Sequence, residues 1–288
     1  MDPIKLAAAG TGAVIVGGTA LGLHFFVNSL EPVWYSLSLE DGFPNGYSDK
    51  VGKEYGNYLV GIYGDKGDQK DRNQKWWEWS YKQLEYDVSN NSSKLSSDFF
   101  ENNTSKASSA YKSKSSKSES SPKALNEVCA DIYGKNKSDV IPDNDSDSTK
   151  SRLSRDMWKY CSHLGTRPIL LKENDYGAGE VGNETDHKDK AVSVKASGKD
   201  SSNDEFWRLR NDEFFGGKGG GKGNSASQGG LFKALYAKKE TNTIGSKDTV
   251  KEACKTAYST KTANKSTSPK VEDDDIKKFC YLTPDPNN

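Results

Sequence analysis

The chain writes its four cysteines as two copies of one short frame, and that frame limits what it can fold into. "LNEVCADIY" (125–133) and "VKEACKTAY" (250–258) share a Glu two residues before the Cys and a Tyr four residues after it. Laying Cys129 on Cys254 also brings Leu125 onto Val250 and Tyr133 onto Tyr258. Downstream, "DMWKYC" (156–161) matches "DIKKFC" (275–280) and sets Cys161 on Cys280. Upstream, "WWEWSYKQL" (76–84) matches "FWRLRNDEF" (206–214), with Trp77 on Trp207 and Leu84 on Phe214. The three blocks keep one order, and the offset changes only between blocks, from 130 to 125 to 119. This is the pattern of a tandem duplication with loops of variable length.

Duplication bears on the cysteines. Four allow three pairings. If each copy brings its own partner, Cys129 pairs with Cys161 and Cys254 with Cys280. The alternative is four buried free thiols packing as small apolar groups. The Trp blocks carry apolar residues at i and i+7, one face of a helix. An aromatic that recurs in a repeated frame reads as core, so Trp77, Trp207, Tyr133 and Tyr258 are core candidates. Ser121 and Pro122 suit the start of the first Cys helix. Thr249 and Glu252 form a capping-box pattern at the start of its counterpart. Asp156 and Asp275 suit the N-terminus of the second Cys helix in each copy. "YLVGIY" (58–63) and "AVSVKA" (191–196) read as short strands. The expected fold class is α+β and helix-rich, with each module running strand, helix, helix, helix.

Between these blocks the composition is polar. Residues 87–123 hold 14 Ser in 37 positions, and "GGKGGGKGNSASQGG" (216–230) takes the matching place in the second copy. Such tracts offer little apolar surface to offset ordering entropy, so both are expected to be disordered loops. Leu6 to Val27 is a run of 22 residues without a formal charge, long enough as a helix to span a bilayer core. A cleaved secretory signal ending at Ala20 is the competing reading. Either one exports the remainder. The expected organisation is an anchor at 1–28, module one at 29–165 and module two at 166–288. That places the protein as a single-pass species in the cell membrane with an extracellular C-terminal ectodomain.

Most chemistry finds no support in the residues. Lys+Arg and Asp+Glu are equal at 41, which gives no electrostatic case for nucleic acid. Gly216 to Lys222 has P-loop spacing, but Gly223 stands where a Ser or Thr must hold Mg²⁺. There are three His, and the cysteines lack zinc-type clustering. His163 lies two residues from Cys161, but its counterpart is Leu282, so no nucleophile pair repeats. No catalytic, cofactor-binding or metal-binding residues are expected, and no cofactor.

These carriers, namely "KLAAAGTGAVIVGGTALG", the Trp blocks, "LNEVC…WKYC" and "VKEAC…KKFC", together resemble the large paralogous families of short membrane-anchored proteins in haemotropic mycoplasmas. The resemblance covers most of the chain. The long Ser/Lys tract, the Gly run and Lys277 in place of Trp158 depart from it. It implies a surface protein, antigenically variable or in contact with host components, without enzymatic activity. The alternative is an exported nutrient-binding protein or enzyme using a cleft between modules.

Overall fold

Most of the described helices bury at least one aromatic residue. The computed structural model describes residues 31–47, 49–116, 122–142, 148–195, 203–216 and 221–284. The apolar segment at 6–27 lies outside them, and among the described residues no helix is long and apolar enough to cross a membrane. One compact unit ends at Arg167 and a second begins at Pro168. The whole is helix-rich, with one two-stranded sheet among the described residues.

In the first unit the helices are α1 (Val51–Tyr55), α2 (Gln74–Asn91), α3 (Leu125–Tyr133), α4 (Lys137–Val140) and α5 (Ser148–Tyr160). Trp76, Trp77 and Leu84 of α2 are fully buried, which is the helical face that the i, i+7 spacing marks. They share the core with Phe99, Tyr133, Trp158 and Tyr160. The second unit contains α6 (Asp204–Phe215), α7 (Leu231–Glu240), α8 (Val250–Ser259) and α9 (Asp273–Phe279). Its core gathers Phe206, Trp207, Phe214, Phe232, Tyr258 and Phe279. The Phe214 ring lies edge-on to Phe279 at 5.0 Å and to Tyr236 at 5.8 Å, a favoured aromatic geometry.

Several local expectations are corrected. The segments at 58–63 and 191–196 are not continuous strands. Each contributes single bridges instead: Ser36 to Val60 and Leu59 to Ser162 in one unit, Leu170 to Val192 and Ala191 to Tyr281 in the other. Helix α3 begins at Leu125, past Pro122, and Glu127 reaches back to accept from the Ala124 N–H at 2.9 Å. At α8 the Thr249 side chain does accept from the Glu252 N–H, at 3.2 Å. Asp275 lies in the first turn of α9 as expected, whereas Asp156 sits inside α5 rather than at its start, and both aspartates also hold a turn of a preceding loop. The Ser96 N–H donates to Asp156 at 2.6 Å, and the Ser227 N–H to Asp275 at 3.0 Å.

The described parts of the two polar tracts are also more ordered than their composition suggests. Within 87–123, the described part finishes α2 and then forms a hairpin, β1 (Phe100–Glu101) and β2 (Thr104–Ser105). Asn102 and Asn103 turn it, both with positive φ, as a two-residue hairpin loop requires. Leu95, Phe99 and Ala107 are buried, so a few apolar residues spaced among the serines anchor the segment. Within 216–230, a short 3-10 turn spans Lys222–Ser225 and Gly223 is buried. Helix α7 follows, on a Phe232, Leu235, Tyr236 face that a strand–helix–helix–helix module does not contain.

Candidate functional site

Each unit carries the same hydrogen-bonded frame around its cysteines. The bridges are Cys129–Cys161, with Cα atoms 5.7 Å apart, and Cys254–Cys280, at 6.0 Å. All four sulfurs belong to fully buried residues. Val60 N–H donates to Cys161 O, and Val192 N–H to Cys280 O, each at 2.9–3.0 Å. The Tyr133 hydroxyl faces Val60 O at 2.8 Å and Cys161 O at 2.9 Å, and the Tyr258 hydroxyl donates to Val192 O at 3.2 Å. The indole N–H of Trp77 points at Gly61 O and Ile62 O, and that of Trp207 at Ser193 O. The aromatic residues therefore bring both apolar bulk and a donor to buried carbonyls, several of which accept a second hydrogen bond as well.

An asparagine completes the frame, and the sequence reading overlooked it. Asn73 accepts from Tyr35 N–H at 2.8 Å and donates to Tyr35 O and Gly61 O at 2.8 and 2.7 Å. Asn203 does the same to Ile169 N–H, Ile169 O and Ser193 O, at 2.9, 2.9 and 2.8 Å. Each lies four residues before the repeated Trp, so "NQKWW" and "NDEFW" carried the signal. The repeated glycines of "VG" at 51–52 and 181–182 are a second overlooked pair. A Cβ on Gly52 would fall 2.6 Å from the Tyr47 ring and 3.1 Å from Tyr133 Cβ. One on Gly182 would fall 2.5 Å from the Tyr176 ring and 2.9 Å from Tyr258 Cβ.

Against this shared frame, one cluster belongs to the second unit alone. His187 sits in the turn after a 3-10 stretch at Val181–Asn183, and its side chain is 1 % exposed. Its Nε2 lies 3.7 Å from Glu184 Oε2 and 3.4 Å from Asp273 Oδ1 on the first residue of α9. The three donor atoms all lie within 4.8 Å of one another. Lys265 closes the group, 3.5 Å from Glu184 and in contact with Asp273. On the other side of the ring, Nδ1 is 3.1 Å from the Tyr281 hydroxyl, which donates to Asp186 O at 2.6 Å. Burial pushes His187 below the usual imidazole range, outweighing the pull of Asp273 and Glu184. Burial opposes ionisation of Asp273 too, but Lys265 holds it below the ordinary carboxylate range. The repeat offsets put Glu54, Asn57 and Ser154 at the corresponding places in the first unit, and there Lys137 takes Glu54 at 2.6 Å. Spacing alone singled out no metal ligands because Asp273 is 86 residues from His187. Only the Glu184-x-x-His187 step is local. His163 serves packing: it stacks on Trp34 at 3.6 Å and its Nε2 faces Asn57 O at 3.1 Å.

In the first unit, burial raises Glu40 to about 7, with Asp65 adding to the effect. The Tyr63 N–H, which donates at 3.0 Å, and Lys114 offset part of it. A carboxyl raised in this way holds its proton better folded than unfolded. Stability therefore falls as pH rises from the ordinary glutamate value to about 7, then levels off. Glu40→Gln is expected to flatten that decline and to gain on the order of 2 kcal/mol at pH 8, after solvent screening is allowed for. Urea denaturation at pH 4, 6 and 8 checks it. A wild-type stability that rises over that interval contradicts it.

No protein-family model, curated protein or solved structure matches the chain.

Proposed function

We propose that the chain is a membrane-anchored surface protein that presents two disulfide-stapled modules to host components or to immune recognition, and that it performs no catalysis. The observation that supports this reading is the division of labour within the repeat. The frame of Cys, Trp, Tyr and Asn recurs on equivalent carbonyls, while the segments strung on it differ in kind. Where the first unit carries the β1–β2 hairpin, the second carries α7. A scaffold under one set of packing demands and a surface free to diverge suits recognition better than chemistry, which needs a constant constellation. Export also suits the bridges, since oxidising compartments favour them, and residues 6–27 would supply the anchor.

The test is protease treatment of intact cells followed by mass spectrometry. Loss of peptides from 29–288, with the peptide containing residues 6–27 retained in the membrane fraction, is the expected result. Protected peptides throughout would reject a surface location, and a mature N-terminus near Leu21 would reject the anchor. The second reading, an exported nutrient-binding protein or enzyme, needs a pocket. The hollow beside Tyr81, Leu84 and Val88, about 230 Å³, is smaller than the usual small-molecule site.

A further inference from the structure

The Glu184–His187–Asp273 cluster has a geometry that its own side chains leave incomplete. The Asp186 carbonyl can only accept, so the single hydroxyl hydrogen of Tyr281 is committed to it. The Tyr281 oxygen must then accept from His187, which places the neutral ring's hydrogen on Nδ1. The Nε2 lone pair is left facing inward, and Nε2 has no hydrogen-bond partner. What it faces is two carboxylate oxygens, which repel it. A buried imidazole held from behind by a hydroxyl and aimed at two carboxylates is how metal-ligating histidines are oriented.

The spacing discriminates among cations. Ligand bonds of about 2.0–2.1 Å at tetrahedral angles place neighbouring donors about 3.3–3.4 Å apart. His187 Nε2 and Asp273 Oδ1 are 3.4 Å apart, and Glu184 Oε2 is 3.7 Å from Nε2. Calcium takes six to eight oxygens at longer range, and magnesium rarely accepts a protein nitrogen among so few donors. One imidazole with two carboxylates suits zinc.

Lys265 is the competitor. Its ammonium neutralises the carboxylates where a metal would, but its side chain is 19 % exposed and has solvent to swing into. The bridges leave no free cysteine among the described residues to compete as a ligand.

We infer that Glu184, His187 and Asp273 form a zinc-binding site in the second unit, with Lys265 acting as the displaceable cation that occupies it in the metal's absence. Three protein donors leave a fourth position for water or an oxygen ligand from outside. A bound ion would tie the turn at 184–187 to the start of α9, one of the two helices that carry the second bridge. The first unit keeps Glu54 but has Asn57 and Ser154 where the site has His187 and Asp273, and the site does not depend on where the protein is located.

The experiment is calorimetric titration of the oxidised full chain with zinc chloride, with circular dichroism confirming that each variant is folded. The expected result is one ion per chain. Asp273→Asn and Glu184→Gln, both at partly exposed positions that keep side-chain shape, should each weaken binding at least tenfold. Lys265→Ala should tighten it several-fold, an effect that a purely structural ion-pair network would not produce. Absence of binding in both the wild type and Lys265→Ala overturns the inference, as does equal affinity in the wild type and Asp273→Asn. His187→Gln serves as a further variant only if its spectrum matches the wild type.

Discussion

Replacing Trp77 with alanine is expected to cost about 3–5 kcal/mol. The side chain is fully buried, so truncation removes its transfer energy and leaves a cavity bounded by Trp76, which lies edge-on at 5.0 Å. The indole N–H also supplies a donor to Gly61 O and Ile62 O. Trp77→Phe separates the two effects. It keeps most of the volume and gives up the hydrogen bonds, for an expected loss of about 1–2 kcal/mol. Trp207→Ala should cost a similar amount in the second unit, somewhat less because its N–H···O distance to Ser193 is 3.4 Å. Guanidinium denaturation measures all three. A loss below about 1 kcal/mol for both alanine variants would mean that these rings are not core and that the repeated frame was misread.

The second large effect concerns the bridges. Cys129–Cys161 closes 32 residues and Cys254–Cys280 closes 26. In the chain-entropy model each constrains the unfolded state by roughly 3–4 kcal/mol. For units with cores this small, that is a large share of the total stability. Replacing both cysteines of one pair by alanine should therefore lower the denaturation midpoint of that unit. Tryptophan emission can assign the change. The chain has six Trp, and Trp207 is the one that lies beyond Arg167. The part of the emission change that is lost on Trp207→Phe reports the second unit. Since all four cysteines are fully buried, native protein should also resist reduction until it unfolds. Peptide mapping of unreduced protein is the stricter check. A 129–254 linkage would rule out the two bridges as described.

The frame was legible because it is written twice. A side chain buried in both units recurs at its offset whatever happens between, so Trp77 with Trp207, Tyr133 with Tyr258 and the two cysteine pairs could be matched without coordinates. The Asn73/Asn203 and Gly52/Gly182 pairs recur equally well, at the offset of the Trp block. They were overlooked because polar residues and glycine carry no hydrophobic period, and their roles appear only once the carbonyls and rings around them are placed. Composition failed differently at 87–123. A Ser-rich average hides Leu95 and Phe99, whose buried side chains help to hold the hairpin while Asp156 ties Ser96 to α5.

The repeat and the faces its helices bury could be read from the residues alone, and duplication favoured the cysteine pairing without excluding free thiols, because periodicity and duplication are properties of a line of residues. Only the folded chain shows that Asp156 lies inside α5 and that both repeated aspartates accept from a preceding loop. Tertiary structure also decided that Asp273 would meet His187 across 86 residues of chain. The reason is one of range. Burial patterns repeat at short intervals and leave a trace in the sequence. The meeting of two polar groups depends on where loops of unrelated length return the chain, and no local pattern records that.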